Sequence, residues 1–170
     1  MLGNNNSNEN LPSTNKVLLV TSMGNITIEL RDDMPITTTN FKKLVQQGVY
    51  DDTIFHRLVD GFMIQGGDPT GTGYGDPSIP NIQDELPDNN KNDRGTIAMA
   101  NKGKDYPNSG SSQFFINLVD NNYLDSIHPV FGRVIKGMDV VDQIAKVEVD
   151  INSNYRPLQD VTLIKAEFVD

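Results

Sequence analysis

Short runs in which apolar and polar residues alternate recur along the chain and predict a protein built mainly of β-strands. In one of these runs, Ile26, Ile28 and Leu30 point to one face, and the residues between them are polar. Gly24-Asn25, just before this run, predicts a tight turn. Eight strands are predicted, at residues 17–21, 26–30, 55–59, 62–65, 95–100, 112–117, 130–135 and 161–168.

Two segments have a helical spacing of apolar residues instead. The first begins at Pro35 and runs to about Gln47, with Phe41 and Leu44 on one face. The second covers residues 138–145. The strands are too short and too irregularly spaced for alternating βαβ units, and a closed barrel leaves no strand edge exposed. We therefore predict a mainly β fold, a closed eight-stranded antiparallel β-barrel capped by two α-helices.

The chain is expected to form one domain. Residues 1–15 are rich in Asn and lack any period, which predicts a disordered tail, and residues 16–170 carry the domain. The first residues do not have the pattern of a signal peptide, and we expect a cytoplasmic protein. The alternative is an extracytoplasmic location, if the Asn-rich segment followed a removed anchor or signal.

Composition excludes several classes of function. The net charge of −9 gives no electrostatic footprint for nucleic acid, and no apolar run is long enough to span a membrane. The chain has no cysteine and two histidines, so no metal site and no organic cofactor are expected. A monomer is expected.

Three familiar motifs are matched only in part. Residues 71–75 suggest a phosphate loop, but no helix follows them, and a flexible turn is the preferred interpretation. A calcium loop beginning at Asp88 is rejected, because Asp93 replaces the turn glycine and Met99 the bidentate glutamate. A Ser-His-Asp triad is harder to exclude from sequence, although the residues around Ser111 lack the second glycine of a nucleophile elbow.

The hairpin predicted at residues 55–65 carries the most unusual chemistry. Alternation places Arg57 beside Met63 and Gln65 across the hairpin, so a cation is held among apolar side chains. A binding site is one reason to build such an arrangement. His56 is expected on the opposite face and is interpreted as structural.

Four separated segments resemble the cyclophilins, which are peptidyl-prolyl cis-trans isomerases. They are Phe55 to Arg57 with Gly61 to Asp68, then Met99 to Asn101, then Ser112 to Ile116, then Leu124-Asp125 with His128 and Val130 to Gly132. The resemblance covers residues 17–168 and implies the same barrel. It also implies an enzyme that accelerates rotation about X–Pro bonds and assists protein folding, with proline-containing peptides and unfolded or folding proteins as partners.

The resemblance assigns roles residue by residue. Arg57 is the expected catalytic residue, donating a hydrogen bond to the prolyl nitrogen. The expected substrate-binding residues are Phe62, Met63, Phe115 and Leu124 in the proline pocket, His128 at its edge, Gln65 and Asn101 on the substrate backbone, Ala100 along the groove, Tyr123 as an aromatic wall, and Gln113 holding Arg57. Taken singly, the apolar members would be interpreted as core and the polar members as partners of nearby backbone.

Tyr123 stands where many cyclophilins have a tryptophan associated with tight cyclosporin binding, so cyclosporin is expected to bind with reduced affinity. Together with a short segment after Asp68, this favours the compact bacterial or archaeal type. Two other functions compete with the enzyme: a proline-directed peptide-binding module with little turnover, and a hollow barrel that carries a small ligand. The many bulky strand residues indicate a filled interior.

Overall fold

The structure is a computed structural model that describes residues 10–170. Its helices are α1 (Pro35–Gln46) and α2 (Met138–Ile144), with 3₁₀ turns at Asn122–Leu124 and Ile151–Ser153. Its strands are β1 (Lys16–Thr21), β2 (Gly24–Leu30), β3 (Thr53–Ile54), β4 (Arg57–Val59), β5 (Met63–Gly66), β6 (Thr96–Met99), β7 (Phe114–Asn117), β8 (Val130–Lys136), β9 (Val149–Asp150), β10 (Arg156–Pro157) and β11 (Thr162–Val169). None of the helices in this part of the chain is long and apolar enough to cross a bilayer.

Nine strands form one antiparallel sheet in the order β3-β11-β1-β2-β8-β6-β7-β5-β4, and β9 and β10 form a separate pair. The sheet is strongly curled but open, so the predicted closed eight-stranded barrel is wrong. Its two edges, β3 and β4, are joined by only Phe55 and His56 and do not pair with each other. The edge of β4 is covered instead by the segment before β10, because Leu58 N donates to Tyr155 O at 3.0 Å.

The first hairpin turns two residues earlier than the sequence predicts. Thr21 pairs with Gly24, which leaves Ser22-Met23 as the turn and places Gly24 inside β2. The Thr21 hydroxyl holds this turn, accepting from Met23 N at 3.1 Å and donating to Gly24 O at 2.6 Å. Gly24 is required for another reason: its φ is 137°, and a Cβ would lie 2.9 Å from Val140 Cγ2.

The first nine residues of the predicted tail lie outside the described residues. The remainder of that segment runs beside α1. Lys42 Nζ donates to Pro12 O at 3.1 Å, and Gln46 Nε2 donates to Asn10 O at 3.3 Å. Residues 10–15 therefore contact the domain rather than extending away from it.

The two faces of the curled sheet carry two separate apolar clusters. The larger one, called the main core below, fills the inside of the curl with strand residues, α1 and α2. Its centre is aromatic: the rings of Phe41 and Phe131 are 5.0 Å apart, and the buried Tyr50 hydroxyl donates to Ser112 O at 2.8 Å. The interior is filled as predicted, which argues against a hollow ligand carrier. The smaller outer cluster consists of Met63, Ala98, Phe115 and Val130, with Val59, Phe62, Ala100 and Leu124 packed against it.

Candidate active site

A row of paired residues crosses the outer face of the sheet and joins the two halves of the predicted site. Arg57 lies opposite Gln65, and Gln65 lies opposite Phe115 on the next strand. Phe115 lies opposite Ala98, which in turn lies opposite Val130. Directly paired residues project from the same face of a sheet. The predicted hairpin neighbours of Arg57 are therefore confirmed, and strand register brings Phe115 from later in the chain beside them.

A cavity of about 200 Å³ lies on this face and is called the apolar pocket below. It is lined by Arg57, Phe62, Met63, Gln65, Ala100, Asn101, Gly103, Phe115, Leu124 and His128. Nine of the eleven predicted site residues are in this lining, and the two others, Gln113 and Tyr123, are not. Gly103 was not predicted, because a glycine in a loop offers no side-chain signal.

The floor of the apolar pocket is rigidly packed. The Met63 and Phe115 side chains are buried, and the Phe115 ring meets His128 edge-on, with centroids 5.1 Å apart and planes at 88°. His128 Nδ1 lies 2.9 Å from Met99 O; a carbonyl only accepts, so Nδ1 carries the proton and Nε2 remains available in the neutral ring. Burial lowers the pKa of His128 and outweighs the opposing effect of that carbonyl. The imidazole is therefore neutral at pH 7.

Tyr123 lies at the rim and not in the pocket. Its side chain is 67% exposed, and its ring stacks on Phe62 with centroids 6.4 Å apart and planes at 26°. The backbone at Phe62 is fixed by a hydrogen bond, because Asn121 Nδ2 donates to Phe62 O at 3.0 Å. Tyr123 can thus act on a ligand directly at the rim or through the position of Phe62.

Gln113 lies beside the pocket, in a neighbouring groove that Gln65, Ala100 and Asn101 also line. Its Oε1 accepts from Gln65 Nε2 at 3.0 Å, and its own Nε2 donates to Gly73 O at 3.1 Å. The predicted contact with Arg57 is replaced by this contact with Gln65, the residue that pairs with Arg57 across the hairpin. Gln113 therefore positions the residue paired with Arg57.

The side-chain amide of Asn101 is already engaged within the loop. Its Nδ2 donates to Ile127 O at 2.9 Å, and its Oδ1 accepts from Gly103 N at 2.9 Å. These bonds tie the residue 101 loop to the segment before His128. Each of these side-chain atoms still has a second hydrogen-bonding position, so Asn101 can contact a substrate backbone through its side chain as well as through its own backbone groups.

A buried network of amides, not predicted from sequence, fixes the segment that carries Leu124 and His128. Asn121 Nδ2 donates to Asn117 Oδ1 at 2.9 Å, and Asn117 Nδ2 donates to Asn92 Oδ1 at 3.0 Å. Asn92 then donates from its backbone N to Asp125 Oδ1 at 2.6 Å and from Nδ2 to His128 O at 3.2 Å. All three asparagines are buried, so each bond is costly to lose.

The glycine-rich loop at residues 71–75 does bind an anion, but the anion is the chain's own carboxylate. Asp68, which is buried, accepts at Oδ1 from the Thr70 backbone N and hydroxyl. Its Oδ2 accepts from Gly73 N at 2.8 Å and Gly75 N at 3.0 Å. Burial raises the pKa of Asp68, but these hydrogen bonds together outweigh burial and lower it. The hydrogen bonds to Asp68 therefore fix the conformation of this loop, which lies beside the site.

His56 does not lie where alternation placed it. Phe55 and His56 connect β3 to β4 and belong to neither strand, so the two-residue period does not apply to them. His56 and Arg57 line the same second cavity, next to the apolar pocket. Burial lowers the pKa of His56. Its Nδ1 and the Nε of Arg57 are both buried and have no hydrogen-bond partner within residues 10–170.

Comparison with known proteins places this geometry in a family. Residues 16–168 match the cyclophilin type peptidyl-prolyl cis-trans isomerase/CLD family. The chain is 47% identical over 154 residues to peptidyl-prolyl cis-trans isomerase-like 1 of Homo sapiens, covering 88% of this chain and 90% of that protein. It is 42% identical over 161 residues to the protein of the same name from Gibberella zeae, with coverages of 92% and 96%.

A solved structure agrees with these matches. The crystal structure of a cyclophilin type peptidyl-prolyl cis-trans isomerase from Cryptosporidium parvum, determined in the presence of the dipeptide Ala-Pro, superposes with a TM-score of 0.85 at 31% identity. The match covers 91% of this chain and 99% of that one. These relatives are eukaryotic, so the expected bacterial or archaeal type is not supported. The chain belongs to the family of cyclophilin-type peptidyl-prolyl cis-trans isomerases.

Proposed function

We propose that the chain catalyses cis-trans isomerisation of X–Pro peptide bonds at the apolar pocket, with Arg57 as the catalytic residue. The observation that carries this role is the position of Arg57 in the lining of an otherwise mainly apolar cavity, where its Nε has no hydrogen-bond partner within residues 10–170. A guanidinium there has N–H donors that no acceptor of the described residues engages.

The reaction requires such a donor. Resonance gives the peptide bond a rotational barrier of about 18–20 kcal/mol. At the twisted transition state conjugation is lost and the prolyl nitrogen regains a lone pair, which a cationic N–H donor stabilises. Arg57 remains protonated throughout, so it acts as a fixed donor and no covalent step is needed.

The size of this contribution shows that Arg57 cannot act alone. A hydrogen bond to a charged group contributes about 1.5–3 kcal/mol, which corresponds to one to two powers of ten in rate. The remaining acceleration comes from orientation of the proline and exclusion of water. We assign these tasks to the apolar walls, Phe62, Met63, Phe115 and Leu124, with His128 closing one side.

The polar residues along the groove hold the substrate backbone. We propose that Asn101 contacts the substrate through its backbone groups and the remaining positions of its side-chain amide, and that Gln65, fixed by Gln113, contacts the residue before the proline. Ala100 offers a small surface that leaves room for the chain to pass. Proline-containing peptides and folding proteins are the proposed substrates, which is supported by the relative whose crystal structure was determined in the presence of the dipeptide Ala-Pro.

Exchange NMR on a short Ala–Pro peptide tests the function and the role of Arg57 together. The wild-type protein is expected to accelerate cis-trans exchange, and Arg57→Ala to lose about ten- to a hundredfold of kcat/KM. Arg133→Ala is the matched control, because Arg133 is an exposed arginine paired with Glu29 at 3.2 Å, away from the pocket lining. No acceleration by the wild type would disprove the function, and full activity of Arg57→Ala would disprove the role.

Three finer assignments are also proposed. The exposed rim position of Tyr123 supports weak cyclosporin binding, and Tyr123→Trp should tighten it in a calorimetric titration. A monomer is proposed, with light scattering as its test. Cytoplasmic location stays a prediction from the sequence, for which fractionation of the expressing cell is the measurement.

A further inference from the structure

Beside the apolar pocket lies the second cavity, of about 240 Å³, called the polar cavity below. Its lining includes His56, Arg57 and Arg156. It shares Arg57, Gln65 and Asn101 with the apolar pocket, so the two cavities adjoin at these three residues. A single short peptide can therefore occupy both.

The two arginines of the polar cavity differ from the other arginines of the chain. Five arginines are present, and three of them pair with a carboxylate. Those pairs are Arg31–Asp33 at 2.7 Å, Arg94–Asp142 at 2.7 Å and Arg133–Glu29 at 3.2 Å. Within residues 10–170, neither Arg57 nor Arg156 has such a partner, although the chain has a net charge of −9.

The donors around this cavity are only partly used. Arg156 Nη1 donates to Gly71 O at 2.8 Å, which fixes the guanidinium and leaves its other N–H groups available. His56 is 6% exposed, and its Nδ1, like the Nε of Arg57, has no partner in the described part of the chain. The nearby Asp68 cannot supply an acceptor, because both of its oxygens are taken by the glycine-rich loop. A carboxylate from outside would find its donors in the remaining N–H groups of Arg156 and in the guanidinium of Arg57, which line the cavity.

We propose that the polar cavity binds the carboxylate of an acidic side chain in the substrate, close in sequence to the proline held in the apolar pocket. A carboxylate accepts two parallel N–H bonds from a guanidinium, which matches the fixed Arg156. Arg156 is thus a specificity-determining residue of the isomerase. This inference rests on the proposed function, because the proline pocket sets the position of the peptide.

The test uses pairs of peptides that differ by one charge. Each Ala-rich peptide contains one proline and has Glu or Gln at one of four positions, the two before the proline and the two after it. The ratio of kcat/KM for Glu to kcat/KM for Gln is measured by exchange NMR at low salt, where charge pairing is least screened. At one position the wild-type protein is expected to prefer Glu about tenfold.

Variants assign that preference to the cavity. Arg156→Gln should reduce the ratio to about one, and Arg156→Lys, which retains the charge but loses the two parallel N–H donors, should give an intermediate ratio. Arg133→Gln removes the same charge from the surface and should leave the ratio as in the wild type. Because each ratio is taken within one variant, a general loss of folded protein or activity cancels.

Two results would overturn the inference and leave the proposed function standing: equal rates for Glu and Gln peptides at all four positions, or a Glu preference that survives Arg156→Gln. If the preference for Glu falls equally in Arg133→Gln, it is caused by net charge and not by the polar cavity. That result would also overturn the inference. If the wild type accelerates none of the Gln peptides, the proposed function fails and this inference fails with it.

Discussion

Phe114 and Phe115 are consecutive residues of β7, equal in size and nearly equal in burial, yet they belong to different clusters. Phe114, with 0% of its surface exposed, lies in the main core, where its ring is 5.5 Å from Tyr50 and 6.0 Å from Phe41. Phe115, with 4% exposed, lies in the outer cluster and borders a cavity of about 200 Å³. The alternation of a β-strand alone separates them.

The comparison shows that burial does not distinguish a core residue from a site residue. Phe114 has protein neighbours that complete its packing in a T-shaped arrangement. Phe115 has a protein neighbour on one side, His128, and an open cavity on another, which a ligand can fill. Removal of the first side chain should therefore act mainly on stability, and removal of the second mainly on activity.

Paired alanine variants give the largest expected effect. Phe114→Ala should lower the free energy of unfolding by about 3–5 kcal/mol, because it leaves a void in a closed aromatic core. Phe115→Ala should lower it by less and reduce kcat/KM by about tenfold through loss of the pocket floor. Urea denaturation and peptide exchange measure the two quantities. Equal loss of stability in both variants would contradict the distinction between the clusters.

The amide network below the outer cluster predicts a smaller effect. Asn121→Ala removes two donors, to Phe62 O and to Asn117 Oδ1, and should lower the free energy of unfolding by about 1–3 kcal/mol. It should also raise KM, because Phe62 loses part of its support. Asn122→Ala is the control: Asn122 lies in the same turn but bonds through exposed contacts, to Asp93 and Asp125. An equal loss of stability and an equal change of KM in both variants would mean that the amide network does not support the site.

The smallest expected effect is a dependence of stability on pH. His56 and His128 both line cavities at the candidate site, and burial holds the pKa of each below the ordinary value of 6.5. As pH falls below about 6.5 the unfolded chain takes up protons before the folded protein does. Stability should therefore decrease as pH falls through this range and level off once the native pKa is reached.

Urea midpoints at pH 7.5 and 5.5 measure this loss. Carboxylates also begin to titrate near the lower value, so the informative quantity is the difference between the wild type and His128→Gln. The variant should lose less stability between the two pH values than the wild type does. An unchanged dependence in the variant would mean that His128 is not buried in its neutral form.

Patterns with a repeated period were predictable from the sequence. Alternation located the long strands and the Arg57–Gln65 pairing, and the cyclophilin resemblance selected nine residues that now line one cavity. Features without a period were not predictable. The two-residue strands β3, β9 and β10 show no alternation, and His56 lies in a connection where alternation has no meaning. The edge of β4 is covered through a long-range bond, from Leu58 N to Tyr155 O, which no local pattern indicates.

The polar supports of the site were missed for a different reason. Asn92, Asn117 and Asn121 are ordinary polar residues in the sequence, and only the folded chain shows that they are buried against one another. The Gly73 and Gly75 N–H groups likewise find the Asp68 carboxylate only after the loop has closed on it. Such contacts depend on tertiary placement, which a single sequence does not encode in any local pattern.

The position of β11 in the sheet determines when this domain can fold during its synthesis. β11 lies between β3 and β1, and Lys16 pairs with Val169, so the last strand to be made joins segments from the first third of the chain. The sheet can therefore be completed only after β11 has left the ribosome, and a chain that stalls before β11 leaves β1 with one unpaired edge, a template for aggregation.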